Sequence, residues 1–578
     1  MIKASIPVLL FAIFFSLCTS KSGAQQVFSA NKYPLMDFRP PLDITPPALA
    51  GSFGELRANH FHSGMDYRTN QREGYPVYAI ADGYISRLRV QNSGFGLALY
   101  INHPNGYTSV YGHLQRFNPT IAREVKRIQY DKKSYEIDEF PNAQLIPVHK
   151  GDIIAYSGNT GGSGGPHLHF ELRDSKTEAT INPQLFGFEI PDDVPPVIYS
   201  MYVYRLNKKP FNEFTPKQYF QVAGGAGKYS LNKVSTINLS GEVGFGIVAT
   251  DRHSGASGLN GVYSIELELD GKTVFTSALE RFSFENSKAI NSHIDYPTYL
   301  NTKRSIQKSF VDPGNPLGIY SNLVNSGRID FNDGKLHQMR YIITDGKGNK
   351  SYLSFKVQAD GQATITNPPP PAGTIFSYAT VNEFNNNDLK AILPKGTLYN
   401  DLNFVYKTLP RPESNAYSAI HQIHNNLTPL HTGFEIWIKA DSSLPQKYRE
   451  KALIVNTGRS SQGGYFENGY VKAKPRNFGS FFISIDTIPP TISPVNISNG
   501  KNMSGISKMS FKIRDNLSGI KSFNGFIDGR WVLMEFDTKT SSLWHTFDEQ
   551  TKPGKHTLEL IVTDMKDNNR NYSITFYK

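Results

Sequence analysis

The chain of 578 residues is almost without cysteine, and its one cysteine, Cys18, lies near the N-terminus. Cys18 follows an apolar run, residues 6–17, which is too short to span a bilayer comfortably because a spanning helix needs about 20 residues. Small residues ending at Ala24 then provide a signal-peptidase site, so we expect residues 1–24 to be a signal peptide. Cleavage there would leave a mature chain without cysteine and therefore without disulfides.

Cys18 also leaves an alternative open, in which it is the lipidated cysteine of a lipoprotein. Leu17 argues against this alternative, because lipoprotein signals have a small residue at that position. No later stretch of the sequence is long and apolar enough to be a transmembrane segment. We therefore expect an exported protein that is located in the periplasm or cell envelope, or is secreted.

Acidic residues are outnumbered, since 50 Asp and Glu stand against 61 Lys and Arg, a formal charge of +11. The predicted signal peptide contains Lys3 and Lys21 and no acid, so +11 less these two charges leaves +9 for the mature chain. A positive surface suits an anionic polymer of the envelope, although dispersed lysines that keep the protein soluble explain it equally well. Export excludes nucleic acid as the partner.

Helical patterns are scarce as well. The 31 Tyr and 37 Phe favour β structure, and the length predicts roughly three to five domains. Within residues 51–192, short apolar runs alternate with turns, and residues 75–81, closed by Asp82-Gly83, predict a hairpin. One amphipathic stretch, residues 119–135, predicts a helix. We therefore predict a mainly β chain that begins with an antiparallel β domain carrying one helical insertion.

An internal repeat follows this first domain. Each copy begins at a proline pair and later contains an Asp-x-x-Ser-Gly turn and a strand that ends in Thr-Asp. The matching segments are 194–198 and 488–492, 251–255 and 515–519, and 342–345 and 561–564. Each copy predicts a β-sandwich of short strands, the first with large insertions. These modules resemble the immunoglobulin-like domains of exported bacterial proteins.

The predicted organisation of the chain has seven parts. They are a signal peptide (1–24), an extended lead-in packed on the first domain (25–50), the first β domain (51–192), an immunoglobulin-like sandwich with insertions (193–360), a proline-rich linker (361–371), a β-rich domain of unidentified type (372–486) and a second sandwich (487–578). Four consecutive prolines make the linker stiff.

Histidines concentrate in the first β domain, which holds seven of the 15. His167 and His169 share one face of a predicted strand because side chains alternate across a strand. His62 and Asp66 lie four residues apart farther upstream. A catalytic zinc site takes three protein ligands and leaves a fourth position for water. His62, Asp66 and one of the histidine pair can supply these ligands, which leaves the other and His113 for proton transfer.

This set of motifs resembles the lysostaphin-type (LytM, M23 family) zinc endopeptidases of peptidoglycan. The matching motifs lie within residues 53–174 and are His62-x-x-x-Asp66, Tyr111-Gly112-His113, Gly158-Asn159-Thr160-Gly161 and His167-Leu168-His169. The resemblance implies Zn²⁺ as the cofactor, with His62, Asp66 and His169 as its ligands. It further implies that His113 and His167 are the catalytic residues and that peptidoglycan is the partner.

The sequence leaves three functions open. The first is a zinc metalloendopeptidase that hydrolyses peptide bonds in peptidoglycan crosslinks or stem peptides. The second is a non-catalytic wall-binding protein or an activator of another cell-wall hydrolase, and the presence of all five site residues favours the enzyme over it. The third is an envelope adhesin or scaffold in which the β modules carry the main function. The stretch from Leu114 to Gly151 is longer than the family usually has, which predicts a lid, a positive wall beside the substrate, or a solvated helix.

Five other residues are weaker candidates. We expect Glu171 to be structural and to lie on the strand face opposite the histidine pair. We expect His421 and His424 to lie at the surface, outside the catalytic domain. Asp251 and Asp515 occupy repeated turns, so turn formation is expected of them, with calcium binding as the alternative.

Overall fold

The computed structural model describes residues 33, 38–254, 258–360, 373–412 and 415–578. The predicted signal peptide, with Cys18, and the proline-rich linker lie outside these residues. Strands dominate the described part, and its helices are short, so the predicted mainly β fold class is confirmed. No helix in these ranges is long and apolar enough to cross a membrane.

The first β domain holds one α-helix, one 3-10 helix and a series of short strands. The elements are β1 Leu49–Gly51, β2 Leu56–Arg57, β3 His60–Phe61, β4 Met65–Arg68, β5 Pro76–Tyr78, β6 Gly83–Val90, β7 Leu97–Asn102, β8 Tyr107–Leu114, β9 Arg116–Phe117, α1 Pro119–Lys132, β10 Ile137–Glu139, β11 Pro147–Val148, β12 Ile153–Tyr156, β13 His167–Asp174, β14 Thr180–Ile181 and the 3-10 helix Pro183–Phe186. The larger sheet runs β1-β4-β13-β8-β7-β6-β10, and the smaller one runs β5-β12-β9. Strand β13, which carries the histidine pair, is therefore an inner strand of the larger sheet.

The predicted hairpin at Asp82-Gly83 is wrong. Strand β5 pairs with β12 in the smaller sheet, whereas β6 pairs with β7 in the larger one. Between β5 and β6, Ala79 and Ile80 are buried, and the Ala79 N–H donates to the Asp152 carbonyl at 3.0 Å. The chain thus crosses from one sheet to the other through the core, because packing of these apolar side chains overrides the local turn signal.

The predicted helix begins where expected, at Pro119, and ends three residues early, at Lys132. The Asn118 side chain caps it by accepting the N–H of Ile121 at 2.8 Å. Lys133 adopts a left-handed conformation with φ of 49°, which ends the helix. Ile121 and the apolar residues one and two turns later are buried against the β domain.

The opposite side of α1 contacts the C-terminal sandwich. Lys126 Nζ lies 2.8 Å from Asp548 Oδ2, and the Tyr130 hydroxyl donates to the same oxygen at 2.9 Å. The Tyr130 ring meets Trp531 edge-on, with centroids 5.3 Å apart. The helical insertion is therefore a contact surface within the chain and not simply a solvated helix.

The first sandwich is the largest unit, and it carries the predicted insertions as short helices. Its elements are β15 Val197–Arg205, β16 Lys217–Gly225, β17 Lys228–Leu231, β18 Thr236–Leu239, β19 Gly241–Thr250, β20 Ser264–Leu269, β21 Lys272–Ala278, β22 Arg281–Phe282, the 3-10 helix Ser287–Ala289, α2 Ile290–His293, α3 Tyr296–Thr302, β23 Gln307–Lys308, β24 Tyr320–Ser321, the 3-10 helix Asn325–Gly327, β25 Ile329–Phe331, β26 Leu336–Thr344 and β27 Lys350–Ala359. Strand β22 pairs with β14 of the first domain, so the two units share a sheet edge.

The next unit is built from short strands and one 3-10 helix. Its elements are β28 Thr374–Phe376, β29 Asn382–Asn385, β30 Leu389–Leu393, β31 Leu402–Phe404, β32 Tyr406–Leu409, β33 Ile420–Ile423, β34 Glu435–Lys439, the 3-10 helix Gln446–Lys451, β35 Ala452–Asn456, β36 Tyr465–Glu467, β37 Tyr470–Ala473 and β38 Gly479–Ile485. Its main sheets, β29-β30-β34-β37-β36 and β32-β33-β38-β35, enclose one core.

The C-terminal sandwich ends the chain. Its elements are β39 Thr491–Pro494, β40 Lys501–Asn502, β41 Lys508–Arg514, β42 Ile520–Ile527, β43 Arg530–Val532, β44 Glu535–Asp537, β45 Ser542–Thr546, β46 Lys555–Asp564 and β47 Asn569–Tyr577. Two sheets, β39-β41-β45-β44 and β40-β47-β46-β42-β43, share one core. The first domain, the unit between the sandwiches and the C-terminal sandwich each have a core of their own, whereas the core of the first sandwich also includes Phe53 and Phe61 of the first domain and Tyr399 of the next unit.

Candidate metal centre

The centre is built on strand β13, which lies between β4 and β8. The strand register places His169 beside Asp66 of β4 on one side and beside Gly112 of β8 on the other. Since neighbouring strands stand about 5 Å apart, this pairing alone brings an imidazole and a carboxylate together. His167 points to the same face, one alternation earlier on β13.

A tight turn between β3 and β4 brings His62 to the same face. A Cβ at Gly64 in this turn would lie 2.3 Å from the carbonyl oxygen of Phe170, which is far inside van der Waals contact. Only glycine therefore allows the turn to approach β13 this closely. The spacing of His62 and Asp66 in the sequence is the length of this turn.

Three side-chain atoms converge at the centre. His62 Nε2 lies 3.0 Å from Asp66 Oδ1 and 3.1 Å from His169 Nδ1, and His169 Nδ1 lies 2.8 Å from Asp66 Oδ1. All three residues are buried. The ligand atoms of a tetrahedral zinc site stand roughly 3.3 Å apart, given metal–ligand bonds of about 2.0–2.1 Å, so this triangle is close to the size that Zn²⁺ requires.

The outer nitrogens of the two histidines fix which nitrogen carries the proton. His62 Nδ1 lies 2.7 Å from the Ser52 carbonyl, which can only accept, so Nδ1 donates and Nε2 keeps a lone pair. His169 Nε2 lies 2.9 Å from the carboxylate of Glu171, so in the neutral ring Nδ1 keeps the lone pair. The lone pairs of the centre thus face one another and need a cation between them. Carbonyl and carboxylate partners of this kind are what orient histidine ligands on metals.

The pKa values of His62, Asp66 and His169 follow from their burial and from the groups that contact them. Burial lowers the pKa of the His62 imidazole. Burial opposes the ionisation of Asp66, but the charge of His62 and hydrogen bonds from His167 and His169 outweigh it and hold its pKa well below the usual range. Burial also opposes protonation of His169, yet hydrogen bonds to Asp66 and Glu171 raise its pKa to about 9. The hydrogen bonds of the centre therefore favour an ionised Asp66 beside a protonated His169.

His113 and His167 stand beside the triangle, with ring centroids 4.8 Å apart. His113 Nδ1 lies 2.8 Å from the Thr160 carbonyl, and His167 Nδ1 lies 2.8 Å from the Gly165 carbonyl. Each Nδ1 therefore donates outward and each Nε2 is the basic nitrogen. His167 Nε2 faces the centre, 3.4 Å from Asp66 Oδ1. Burial, with the charges of His169 and His167, lowers the pKa of His113 to about 3.

The backbone at His113 departs from its strand. Its φ of 58° lies in the left-handed region, which costs energy for a residue with a Cβ. The His113 N–H donates to the carbonyl of Phe95 at 2.8 Å, and the Phe95 ring stacks on His169 with centroids 4.8 Å apart. The bend turns the His113 ring towards the centre, and the sequence gives no sign of it.

The glycine-rich turn before β13 is held by the C-terminal sandwich. The Lys539 ammonium donates to the carbonyls of Asn159 and Ser163, the latter at 3.3 Å. The Ser163 hydroxyl donates to the carbonyl of Gly165 at 2.7 Å, which is also the acceptor of His167. A residue near the end of the chain thus contacts the turn that orients a site histidine.

The five predicted site residues are brought together, and two residues support them: Glu171, which was expected to be structural, and Arg57, which was not predicted. Glu171 lies on the same strand face as His169, not on the opposite face, because residues two apart share a face; that expectation was wrong. Its carboxylate holds His169 and also contacts Ser63 and Arg173. Arg57 donates to the second oxygen of Asp66 at 2.6 Å. The alternation rule could have found Glu171, whereas no pattern marks Arg57.

The expectation for the distant histidine pair was also wrong. His421 and His424 are both buried. His421 Nδ1 lies 2.7 Å from the Tyr406 hydroxyl, and His424 Nε2 lies 2.9 Å from the Thr428 hydroxyl. These are hydrogen-bonded core histidines, which a spacing of three residues on a sheet does not distinguish from surface ones.

Two parts of the chain match known families. Residues 60–130 match Peptidase family M23, and residues 373–486 match the Zu5-like domain, which describes the unit whose type the sequence left unidentified. The chain is 34% identical over 118 residues to the DD-carboxypeptidase/endopeptidase Mpg of Neisseria meningitidis, across 20% of this chain and 21% of that protein. It is 30% identical over 141 residues to the peptidoglycan DD-endopeptidase ShyC of Vibrio cholerae, across 23% of this chain and 26% of that protein.

Among solved structures, the catalytic domain of lysostaphin from Staphylococcus simulans is 25% identical, across 23% of this chain and 87% of that one, with a TM-score of 0.18. The chain thus matches about a fifth of Mpg and about a quarter of ShyC. The family match at residues 60–130 contains His62, Asp66 and His113, whereas His167 and His169 lie beyond it. This protein therefore carries an M23 peptidase domain.

Proposed function

We propose that this protein is a zinc-dependent endopeptidase that hydrolyses peptide bonds in the crosslinks or stem peptides of peptidoglycan. One observation carries the proposal: three lone-pair donors converge at His62, Asp66 and His169, while two more imidazoles stand beside them. A site that only bound a metal would have no use for the second pair. His113 and His167 give the centre groups that can move protons.

His113 and His167 both anchor Nδ1 and present Nε2, so the division of roles between them is part of the proposal. Zn²⁺ bound at the triangle would polarise the scissile carbonyl and lower the pKa of bound water towards about 7. His113 presents Nε2 as a neutral base that takes a proton from the attacking water. The proton that His113 takes up then passes to the leaving amine, and His167, anchored through Nδ1 to the Gly165 carbonyl, can stabilise the developing oxyanion when its Nε2 is protonated. Arg57 and Glu171 keep Asp66 and His169 in place from behind.

Two features support a peptide backbone of the cell wall as substrate. The related proteins Mpg and ShyC are named for endopeptidase activity, and the name of ShyC specifies peptidoglycan. Positions for a Cβ at Gly164 and Gly165 have no atom within 4 Å, so the turn beside His167 leaves open space. Gly161 differs, because its Cβ would lie 2.3 Å from Gly96 N and its role is internal packing. An extended peptide can lie over the open part of the turn.

The test is the release of muropeptides from purified sacculi, followed by mass spectrometry, with zinc content measured on the same samples. Asp66→Ala should lose both zinc and cleavage, and His113→Ala should keep zinc but lose cleavage by about 10²–10⁴-fold, the contribution of a general base. His60→Ala is the control, because His60 is exposed and its ring nitrogen bonds to the nearby Ala58 carbonyl. Equal release by all four proteins would contradict the proposal.

The alternative is a non-catalytic wall-binding protein or an activator of another hydrolase. The sacculus experiment separates the two. A non-catalytic protein would bind sacculi with the same affinity in the wild type and in His113→Ala and would release no fragments in either form. Fragments of defined mass, released by the wild type alone, support the enzyme.

We place the protein in the periplasm or elsewhere in the cell envelope, after removal of residues 1–24. The division into a catalytic domain (51–192), two sandwiches (193–360 and 487–578) and the Zu5-like unit between them belongs to the same proposal. The contacts of Asp548 and Lys539 with the first domain favour a role for the last sandwich in holding the glycine-rich turn before β13. The β modules thus act as a frame around the peptidase domain.

A further inference from the structure

A second group of potential metal ligands lies where the first domain passes into the first sandwich. Asp192 belongs to the connecting segment, and Asp251 and His253 follow strand β19. One ligand atom from each of the three residues can be chosen so that all lie within 4.8 Å of one another. This group has no place in the peptidase centre.

Two of these side chains are buried with an unused atom. Asp251 is 1% exposed and His253 is 6% exposed. Asp251 Oδ1 and His253 Nδ1 have no hydrogen-bond partner among the described residues. Burying polar atoms without a partner is costly, so each atom is available to a ligand. The other atoms of the pair, His253 Nε2 and Asp251 Oδ2, lie 3.8 Å apart.

The charges around Asp251 add to this cost. The negative charges of Asp345 and Asp192 act on Asp251. Asp345 is itself fixed, because Oδ1 accepts the N–H groups of Lys347, Gly348 and Asn349. Three carboxylates therefore crowd one small volume, and a cation between them would relieve their repulsion.

The C-terminal sandwich repeats the arrangement with Asp486, Asp515 and Asp564, whose ligand atoms also lie within 4.8 Å of one another. The framework is the same in both copies. The Asn349 amide donates to Asp345 and to the Asp192 carbonyl, and Asn568 donates to Asp564 and to the Asp486 carbonyl. Leu517 stands where the first copy has His253, so a ligand nitrogen is present only in the first copy.

We propose that Asp192, Asp251 and His253 bind a divalent cation that ties the connecting segment to the first sandwich. Carboxylate oxygens suit Ca²⁺, and a histidine nitrogen beside them suits a transition ion such as Mn²⁺ or Zn²⁺. The shared chemistry is a doubly charged ion that neutralises the carboxylates. The C-terminal copy, with oxygen ligands only, is the natural comparison for Ca²⁺.

The test is calorimetric titration of the full chain, stripped with a chelator and then given one equivalent of Zn²⁺ to fill the peptidase centre. Separate runs use Ca²⁺ and Mn²⁺. Asp251→Asn should remove one binding event or weaken it at least about tenfold, and Asp330→Asn, an exposed carboxylate of the same sandwich, should leave the wild-type isotherm unchanged. Identical isotherms for Asp251→Asn and the wild type, or no binding by the wild type at millimolar cation, would overturn the proposal.

A second variant keeps the proposal testable if Asp251→Asn does not fold. His253→Leu converts the first copy to the residue found in the second and keeps the carboxylates. It should weaken Mn²⁺ binding at least about tenfold while leaving Ca²⁺ binding within about threefold, and the Tm should still rise when Ca²⁺ is added. If His253→Leu and the wild type bind Mn²⁺ equally, His253 is not a ligand and the assignment fails.

Discussion

The peptidase centre and the Asp192 group are both clusters of histidine and aspartate, but they are built differently. At the peptidase centre every outward-facing ring nitrogen is held by a carbonyl or carboxylate, such as Ser52 or Glu171, and two further imidazoles stand at its side. At the Asp192 group, buried atoms of Asp251 and His253 lack partners, and no comparable second pair is present among the described residues. The first arrangement suits catalysis, and the second suits a structural ion.

The largest expected effect is the difference between the same substitution, aspartate to asparagine, made in each of the two clusters. Asp66→Asn should lower cleavage of sacculi at least about 10³-fold, because it removes a charged metal ligand and one of the two carboxylates that pair with Arg57. Asp251→Asn should leave the cleavage rate within about twofold of the wild type, since the Asp192 group has no catalytic part. The measurement is initial muropeptide release at saturating zinc.

If Asp251→Asn lost as much cleavage as Asp66→Asn at 25 °C with unchanged far-UV circular dichroism, the separation between a catalytic and a structural cluster would fail. Glu178→Gln, an exposed side chain beyond β13, serves as the control for mutation near the centre.

A smaller effect is expected from the residue behind His169. Glu171→Gln keeps the size of the side chain but removes the charge that orients the imidazole, so zinc affinity should fall by about 10–100-fold, the usual cost of losing such a partner. Competition with a chromophoric chelator measures this directly. Cleavage should recover when excess zinc is added, because the proton-moving histidines are untouched.

Recovery would sharpen the comparison by showing that Glu171 acts through the metal ligand. Persistent loss of cleavage at full zinc occupancy would instead give Glu171 a direct part in the chemistry. Glu178→Gln is again the matched control and should bind zinc like the wild type.

The smallest effect is expected at the contact between α1 and the C-terminal sandwich. Burial opposes ionisation of Asp548, but hydrogen bonds from Lys126 and Tyr130 outweigh it and lower its pKa. A lowered folded pKa stabilises the protein above the unfolded value of about 3.9 and the stabilisation is lost as the pH falls through the folded value. Partly exposed pairs contribute only about 0–1 kcal/mol.

Asp548→Asn should therefore lower the Tm slightly at pH 7, and the difference from the wild type should shrink at pH 3. Differential scanning calorimetry at both pH values measures this difference. Glu549→Gln is the control, because Glu549 Oε1 lies 3.8 Å from Lys126 Nζ and its side chain is 78% exposed. Zinc affinity should not change. A Tm difference that grows as the pH falls would contradict the predicted pH dependence. Asp548 would then not stabilise the contact between α1 and the C-terminal sandwich through its charge.

Much of the candidate site could be predicted from the sequence because local rules govern it. Alternation along one strand puts His167 and His169 on one face, and a four-residue spacing across a glycine turn brings in His62 and Asp66. The same rule, applied one step further, would have placed Glu171 correctly. The family resemblance supplied the roles of these residues, and the match of residues 60–130 to family M23 agrees with it.

The rest depends on packing between distant segments. The prediction of a hairpin at Asp82-Gly83 failed because the buried residues Ala79 and Ile80 carry the chain from one sheet to another. Lys539 reaches the turn before β13 from nearly 400 residues away, and no periodicity in the sequence indicates such a contact. The repeated turns at Asp251 and Asp515 were found in the sequence, but only the fold shows which carboxylates lie beside them.

The central claim is that His62, Asp66 and His169 hold zinc, and a zinc-edge anomalous difference map from crystals of the full chain tests it most directly. We predict one strong peak within about 2.2 Å of His62 Nε2, Asp66 Oδ1 and His169 Nδ1, and its absence in Asp66→Ala crystals. Stoichiometric zinc with its peak elsewhere, or an equal peak in Asp66→Ala, would contradict the account.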